Sequence, residues 1–348
     1  VVPSANFNTV TYTGDGSTGL AITGVGFQAD FSWFKALVSE SHGLWDAVRG
    51  VTKRLVSNST AADATQNGIT TWSADGFTVT NADTGATNDD TVAYVAWNWK
   101  AGNATLGTGD FTQGSGASTC SRNVDAGFSI VSYSGSNSAQ TIGHGLSQAP
   151  DLVIIKQRTA ANNWVIGADV TDWNWLADYM FLDTTIAKAS DAGGTMFYGA
   201  SAAAAAPTAT LLNLGGGSYT STAGEDLIAY CWHSVDGYSK VGSYTGNGVA
   251  NNGTFVFTGF RPKFVLIKRS NSAGQAAPIF DSARSTFNIA NKGLKSNSSN
   301  AEITTDGGVD LLSNGFKANQ NDGEVNSDGG IYIYIAFAES PFKYSNAR

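Results

Sequence analysis

Three histidines, His42, His144 and His233, are the side chains of this chain best suited to acid–base or metal chemistry. A metal site needs two or more ligands at hairpin or helical spacing. The sequence has no His-x-His, His-x3-His or Cys-x2-Cys pattern. We therefore expect each histidine to be a loop residue or a hydrogen-bonded surface residue, and we expect no metal site and no cofactor.

Paired carboxylates could hydrolyse glycosidic bonds, and three pairs are candidates: Glu225 with Asp226, Asp89 with Asp90, and Asp322 with Glu324. All three lie in Gly-, Asn-, Ser- and Thr-rich stretches, where acidic residues are ordinary turn formers. A phosphate-binding Gly-x4-Gly-Lys-Ser/Thr motif is absent from the sequence. The sequence thus predicts no catalytic residues, and we expect a non-enzymatic protein.

Two Asp-x-x-Arg pairs, Asp46 with Arg49 and Asp281 with Arg284, recur at corresponding places in the chain. A polar pair kept twice at one place predicts a structural ion pair beside the core, and a ligand contact is the alternative interpretation. Lysines close an apolar strand-like run at three other corresponding places: Lys35, Lys156 and Lys268. We expect these lysines to extend along apolar surface with their ammonium groups in water.

Aromatic side chains that alternate with polar ones could stack on sugars. Trp173 and Trp175 show this alternation outside the repeated motifs. We predict that they form an exposed pair that contacts a surface glycan, whereas most other tryptophans should belong to the core.

The composition excludes several functional classes. The 348 residues are 42% hydrophobic but only 14% charged, against about 25% in a typical soluble domain. The net charge is −8 and the 20 basic residues are scattered, whereas a nucleic-acid surface needs clustered Lys and Arg. No apolar run approaches the ~20 residues of a membrane helix. We expect neither nucleic acid nor membrane as a partner.

Three motifs recur in constant order, the first two of them at spacings of 111–121 residues. The first is a tripeptide: Tyr12-Thr13-Gly14, Tyr133-Ser134-Gly135 and Tyr244-Thr245-Gly246. The second is the strand that ends in Lys35, Lys156 or Lys268. The third closes each copy, at Tyr94-Val95-Ala96-Trp97, Leu227-Ile228-Ala229-Tyr230 and Tyr334-Ile335-Ala336-Phe337. This order predicts an internal triplication, with Val95, Ile228 and Ile335 at one equivalent buried position.

The pattern within each copy is β. Short runs of β-branched and aromatic residues are separated by turn residues, as in sandwiches and barrels. A possible helix over 42–55 is disfavoured because the third copy lacks its spacing. We predict three tandem antiparallel β-sandwiches, lectin-like or jelly-roll-like. Their ranges are 1–100, then a Gly/Ser/Thr linker at 101–125, then 126–236 with an Ala-rich insertion, and 237–348. The linker predicts a loosely tethered first domain.

These motifs, with the ending Ile335-Ala336-Phe337-Ala338-Glu339-Ser340-Pro341-Phe342-Lys343-Tyr344, resemble a family of repeat domains in structural proteins of tailed bacteriophages, many from marine hosts. The resemblance covers most of the chain. It implies a virion component of lectin-like sandwich form, and it supplies no catalytic residues.

The resemblance and composition together predict a non-enzymatic virion structural protein, a tail fibre, spike or head-surface component that acts in assembly and host-surface adhesion. Its expected partners are copies of itself, other virion proteins and a host-surface glycan. The loops at domain ends, first of all the insertion Ser190–Gly217, are the expected contact surface. A secreted carbohydrate-binding module is the alternative, and a polysaccharide depolymerase is a weaker one.

Overall fold

The computed structural model describes residues 1–82, 85–191, 193–197, 206–304 and 308–340. Within these ranges the regular structure is β-strand, apart from a short 3-10 helix at Pro3–Ala5. Every pair of named strands in hydrogen-bonded contact is antiparallel. The predicted all-β, antiparallel fold class is therefore confirmed. No helix in the described part of the chain is long and apolar enough to cross a membrane.

The strands fall into three units along the chain. Unit 1 comprises β1 (Phe7–Thr13), β2 (Leu20–Thr23), β3 (Phe31–Ala36), β4 (Gly43–Asp46), β5 (Lys53–Arg54), β6 (Ala64–Thr65), β7 (Asn67–Ser73), β8 (Gly76–Ala82) and β9 (Ala93–Trp99). Unit 2 comprises β10 (Ser118–Asn123), β11 (Phe128–Ser134), β12 (Gln140–Gly143), β13 (Leu152–Gln157), β14 (Val165–Ala168), β15 (Asp178–Phe181), β16 (Ala189–Ser190), β17 (Leu211–Leu214) and β18 (Asp226–Trp232). Unit 3 comprises β19 (Ser239–Thr245), β20 (Phe255–Phe257), β21 (Pro262–Arg269), β22 (Pro278–Asp281), β23 (Leu294–Lys295), β24 (Val309–Leu312), β25 (Gly315–Ala318) and β26 (Ile331–Ala338).

Each unit has a large sheet and a small sheet with a recurring strand order. The large sheets contain the orders β1-β9-β3-β4, β11-β18-β13-β14 and β19-β26-β21-β22. In each, the closing strand lies between the opening strand and the lysine-bearing strand. The small sheets are β2-β8-β7, β12-β17 and β20-β25-β24. Unit 2 differs by adding β10 at one edge of its large sheet and β15 and β16 at the other.

Three segments singled out in the sequence can be compared with the structure. The predicted linker 101–125 contains β10, which pairs along its whole length with β11, so its second half belongs to a sheet. The segment 42–55 forms β4 and β5 with a turn between them, as the strand-plus-loop interpretation predicts. Part of the insertion Ser190–Gly217 lies outside the described residues, and the rest includes β17 of the small sheet.

The register places the three lysines at one equivalent position and corrects the closing motif. Lys35 pairs with Val95, and Lys156 pairs with Ile228. Lys268, however, pairs with Ile333. The predicted alignment therefore places the third closing motif two residues too far along the chain. The counterpart of Val95 is Ile333 rather than Ile335. Val95, Ile228 and Ile335 are all buried, as predicted.

Each unit buries one face of its large sheet against its own small sheet. Three separate apolar clusters fill these spaces, one per unit. The opposite faces of the three large sheets meet in one further cluster that draws on all three units. Sheets buried on both faces need nearly continuous apolar strands, which explains sequences such as Leu152–Gln157, buried at every position.

Aromatic rings join the units across this shared core. Phe7 of unit 1 stacks on Phe337 of unit 3, with ring centroids 4.8 Å apart. Phe31 of unit 1 lies 4.6 Å from Tyr230 of unit 2. Unit 1 is therefore packed into the body of the molecule, and the expectation of a loosely tethered first domain is wrong.

An apolar cavity of about 30 Å³ remains in the shared core. Residues from all three units line it, among them Trp99, Trp232 and Ile335. The shared core therefore contains an unfilled apolar space to which all three units contribute.

Replacing Ile335 by Ala should lower the free energy of unfolding by about 2–5 kcal/mol, because the lost methyl groups enlarge an existing cavity. Urea denaturation measures the change. Ile186→Ala is the matched control, since Ile186 is half exposed, and it should cost less than about 0.5 kcal/mol. Equal losses for the two variants would contradict a shared core.

Candidate functional site

The Tyr-x-Gly motif fixes a loop in every unit. The tyrosine hydroxyl donates to a loop carbonyl in each case: Tyr12 to Thr87 (2.7 Å), Tyr133 to Thr220 (2.9 Å) and Tyr244 to Val325 (2.8 Å). The glycine two positions later passes close to the same loop. A Cβ on Gly14, Gly135 or Gly246 would lie 2.2, 2.0 or 2.4 Å from a backbone carbonyl oxygen. The motif is thus explained by packing alone.

The two Asp-x-x-Arg pairs are buried ion pairs at junctions between units. Arg49 Nε lies 2.6 Å from Asp46 Oδ2, and Arg284 Nε lies 2.6 Å from Asp281 Oδ2. All four side chains are almost completely buried. The carboxylates accept further bonds from neighbouring units: Tyr230 Oη donates to Asp46 at 2.7 Å, and Trp97 Nε1 donates to Asp281 at 3.0 Å.

The third junction is apolar. The sheet registers place Ala168 where the other units have Asp46 and Asp281. They place Ile335 where the others have Trp97 and Tyr230. Acceptor and donor are therefore both absent from this junction, so neither is left unpaired in the core.

The three equivalent lysines are buried, contrary to the expectation of solvent-exposed ammonium groups. Lys35, Lys156 and Lys268 are each at most 1% exposed. Their ammonium groups donate to backbone carbonyls: Lys35 to Val38 (2.8 Å), Lys156 to Gln157 (2.6 Å) and Thr60 (3.2 Å), and Lys268 to Thr184 (2.7 Å). Burial lowers the pKa of each lysine to about 8.

A loop from each unit covers the lysine-bearing strand of the next. Its backbone N–H donates to the carbonyl two residues beyond the lysine: Asp63 to Arg158 (2.7 Å), Lys188 to Ser270 (2.7 Å) and Glu302 to Leu37 (2.9 Å). The donors belong to units 1, 2 and 3, and the acceptors to units 2, 3 and 1. The three junctions therefore close a ring.

All three histidines are buried, so the expectation of surface positions is wrong. His42 Nδ1 accepts from Trp33 Nε1 at 2.8 Å, and its Nε2 lies 3.0 Å from the carbonyl of Lys295 in unit 3. Burial lowers the pKa of His42 to about 3 and that of His144 to about 4. Both imidazoles are therefore neutral at pH 7.

Two of the three carboxylate pairs are tied to loop contacts. Ser134 Oγ donates to Asp226, and Thr159 Oγ1 donates to Glu225. Glu324 forms an ion pair with Lys295 at 2.6 Å. Among the described residues, no group of three or more His, Cys, Asp and Glu could hold a metal ion. Cys120 and Cys231 are buried free thiols.

Trp173 and Trp175 do not form an exposed aromatic pair. Trp175 is 6% exposed and packs against Phe197, with ring centroids 5.5 Å apart. Trp173 is half-buried, and the ammonium of Lys188 lies 5.6 Å from its ring. The two tryptophans alternate with polar residues in an irregular loop, where successive side chains do not point to opposite faces of a sheet.

Among the described residues, the phenylalanines with exposed side chains are Phe255, Phe257 and Phe287, and they lie at the small sheet of unit 3. Phe255 and Phe257 point outward from β20 and are 45% and 65% exposed. At the opposite edge, Ala290 pairs with Val309 of β24, and the adjoining Phe287 and Ile289 are 84% and 44% exposed. We call this surface the unit 3 outer face.

Two rows of side chains cross the unit 3 outer face. The first row is Phe257, Gly315 and Leu312, since Gly315 pairs with both Phe257 and Leu312. The second row is Phe255, Lys317 and Asp310, since Lys317 pairs with both Phe255 and Asp310. Phe287 and Ile289 lie beside β24 at the edge of the sheet, where the side-chain amide of Asn288 bonds both backbone groups of Leu311.

The corresponding face of unit 1 is small and polar. Its rows are Thr23, Gly76 and Ser73, and Ala21, Thr78 and Thr71. The fold therefore does not require large apolar residues at these positions. The sequence reasoning above missed this face, although the alternation in Phe255-Val256-Phe257 and its comparison with Ala21-Ile22-Thr23 carry the signal.

A family model described as a domain of unknown function, DUF7483, matches residues 2–341. The chain belongs to this family. The match extends across all three units, so the family comprises the entire ring of sheets. No curated protein and no solved structure matches the chain.

Replacing Asp46 by Ala should cost about 3–5 kcal/mol of unfolding free energy, because Arg49 then remains buried without its counter-charge. The double variant Asp46→Ala/Arg49→Met should lose distinctly less, since it leaves no buried charge. Urea denaturation of both variants measures the difference. A double variant as unstable as the single one would refute the buried-pair interpretation.

Stability should rise between about pH 8 and pH 10. The folded lysines have pKa values of about 8, below the ~10.4 of an unfolded lysine. The unfolded chain therefore binds more protons in this window, and the free energy of unfolding increases with pH. Above about pH 10 the trend should reverse, because unfolded tyrosines ionise while burial raises the pKa of Tyr133 and Tyr244.

Lys268→Met should remove about 1–3 kcal/mol of that rise. Lys240→Met, at an exposed position in the same unit, is the control and should leave the rise unchanged. Denaturation curves at several pH values measure both. The comparison of variants is decisive, because burial also raises the pKa of Cys120 and Cys231, and these thiols oppose part of the rise in the same window. A Lys268→Met variant that kept the full wild-type pH dependence would show that this lysine does not titrate as its burial indicates.

Proposed function

We propose that the chain is a non-enzymatic structural and adhesion component of a bacteriophage particle, built by internal triplication of one lectin-like β-sandwich. In this proposal it is a tail fibre, spike or head-surface protein. Its partners are copies of itself, other virion proteins and a glycan of the host surface.

The observation that carries the proposal is the use of the reactive side chains. The recurring tyrosines, lysines and Asp–Arg pairs, together with His42, hold loops and neighbouring units in place. The motifs that recur within the chain therefore hold its own loops and units together, which suits a rigid, repetitive framework. The recurring strand order and the equivalent lysine positions support the triplication.

The ring of three units supports a multivalent mode of action. Each unit directs its small sheet away from the shared core, so three small sheets face outward from one body. Weak contacts made by many such surfaces on one particle combine into strong attachment. A rigid body with a common core keeps the spacing of these contacts fixed.

The proposal is tested on particles rather than on the isolated chain. Mass spectrometry of purified particles from a phage whose genome encodes this chain should find it in stoichiometric amount. Labelled antibodies should place it on the fibre, tail tip or head surface. Purified protein should also compete with particles for adsorption to host cells.

Absence of the chain from purified particles would overturn the proposal. If the free protein instead bound polysaccharide, the carbohydrate-binding alternative would apply. Cleavage of that polysaccharide, abolished by substitution of one carboxylate, would identify a depolymerase.

A further inference from the structure

We propose that the unit 3 outer face binds the same face of a second copy of this chain, in a two-fold symmetric dimer. This inference names the surface for the self-association that forms part of the proposed function, and it rests on that function.

The first argument is the contrast between units of one chain. Unit 1 carries Ala21, Thr23 and Ser73 at the positions where unit 3 carries Phe255, Phe257 and Leu312. Both sets support the same three-stranded small sheet. The large apolar residues of unit 3 are therefore unnecessary for folding, and their exposure lowers solubility unless a partner covers them.

The second argument is apolar self-complementarity. A two-fold axis parallel to the strands, midway between β25 and β24, reverses the order of the strands and superposes each row on the same row of the partner copy. It places Leu312 of one copy over Gly315 of the other, beside the Phe255 ring that lies next to this glycine. It also brings the β20 edge of each copy, with the exposed Phe255 and Phe257, over the edge formed by residues 287–289 of the other, and two sheets stacked about 10 Å apart place such side chains in contact.

The third argument is charge self-complementarity. Asp310 and Lys317 are neighbours across β24 and β25. The same axis places Lys317 of each copy over Asp310 of the other, which gives two opposite-charge contacts. A surface that pairs its own positive side chain with its own negative one after a two-fold rotation selects a second copy, because an isologous interface requires this relation.

These pairings together favour a second copy of this chain as the partner. A glycan would use the exposed rings but would gain nothing from the matched Lys–Asp positions. The face consists of one three-stranded sheet and an edge segment, whereas stable complexes bury ~1,200 Å² or more of total area. We therefore expect weak association in solution, which becomes effective when many copies are held together on one particle.

Sedimentation equilibrium over a wide range of protein concentration tests the proposal on the full chain. The wild type should show a reversible monomer–dimer equilibrium. Phe257→Thr/Leu312→Ser, which introduces the residues of unit 1, should weaken dimerisation on the order of tenfold or more. Ile186→Ser removes an exposed apolar side chain from unit 2 and should leave dimerisation unchanged. Thermal denaturation establishes that each variant is folded.

A charge-exchange experiment identifies the face directly. Lys317→Asp and Asp310→Lys should each abolish dimerisation, because like charges then face each other at both contacts. A mixture of the two variants should form a heterodimer, since each negative side chain again meets a positive one. Loss of the homodimers with recovery in the mixture is expected only if the two positions are opposed across the two-fold axis.

Two results would overturn the inference. One is a wild type that stays monomeric at the highest concentrations, which would also be the outcome if the face bound a glycan or another protein. The other is a dimer that these substitutions do not affect, which would place self-association on a different surface. In either case the proposed virion role is decided separately by the particle analysis.

Discussion

Burial of both faces of each large sheet is the constraint on which the structure depends. One face packs on the small sheet of its own unit, and the other contributes to a core shared by all three units. A unit taken alone would expose residues such as Phe31, Trp99 and Phe337 to water. The free energy of hydrophobic burial therefore favours the complete ring over independent domains, because only the ring removes this apolar area from solvent.

The buried lysines follow from the same geometry. The lysine-bearing strands end inside the ring, where backbone carbonyls of adjoining loops converge and water is excluded. An ammonium group can satisfy up to three acceptors, so one lysine joins the strand end to carbonyls such as Thr60 or Thr184 of the preceding unit. The cost of burying the charge appears as a lowered pKa. Each buried lysine thus lowers the stability somewhat but makes the junction between units specific, as buried polar groups do in some other proteins.

The sequence identified the fold class, the recurring motifs and the lysine-bearing strands because each is a local pattern. It misplaced the third closing motif because strand periodicity is two. In Ile331-Tyr332-Ile333-Tyr334-Ile335, a shift of two residues keeps every side chain on the same face, so hydrophobicity alone does not fix the register. The burial of Lys35 could not be predicted from the sequence either. Its ammonium group is shielded from water by residues of unit 3 such as Glu302, which are distant in the chain. The linker prediction was wrong at β10, because a Ser- and Thr-rich composition fits a strand at a sheet edge as well as an unpaired segment.

Positions that the fold leaves unconstrained carry the information about partners. In the small sheets the inward residues stay apolar in units 1 and 3, as Ile22 and Val256 show. The outward residues at the same strands change from Ala21 and Thr23 to Phe255 and Phe257. Because all units share one chain, solubility and expression act equally on both, and they cannot explain why one outer face is polar and the other apolar. In the proposal above, the difference reflects what each face contacts, and comparison between units of one chain then takes the place of comparison between relatives.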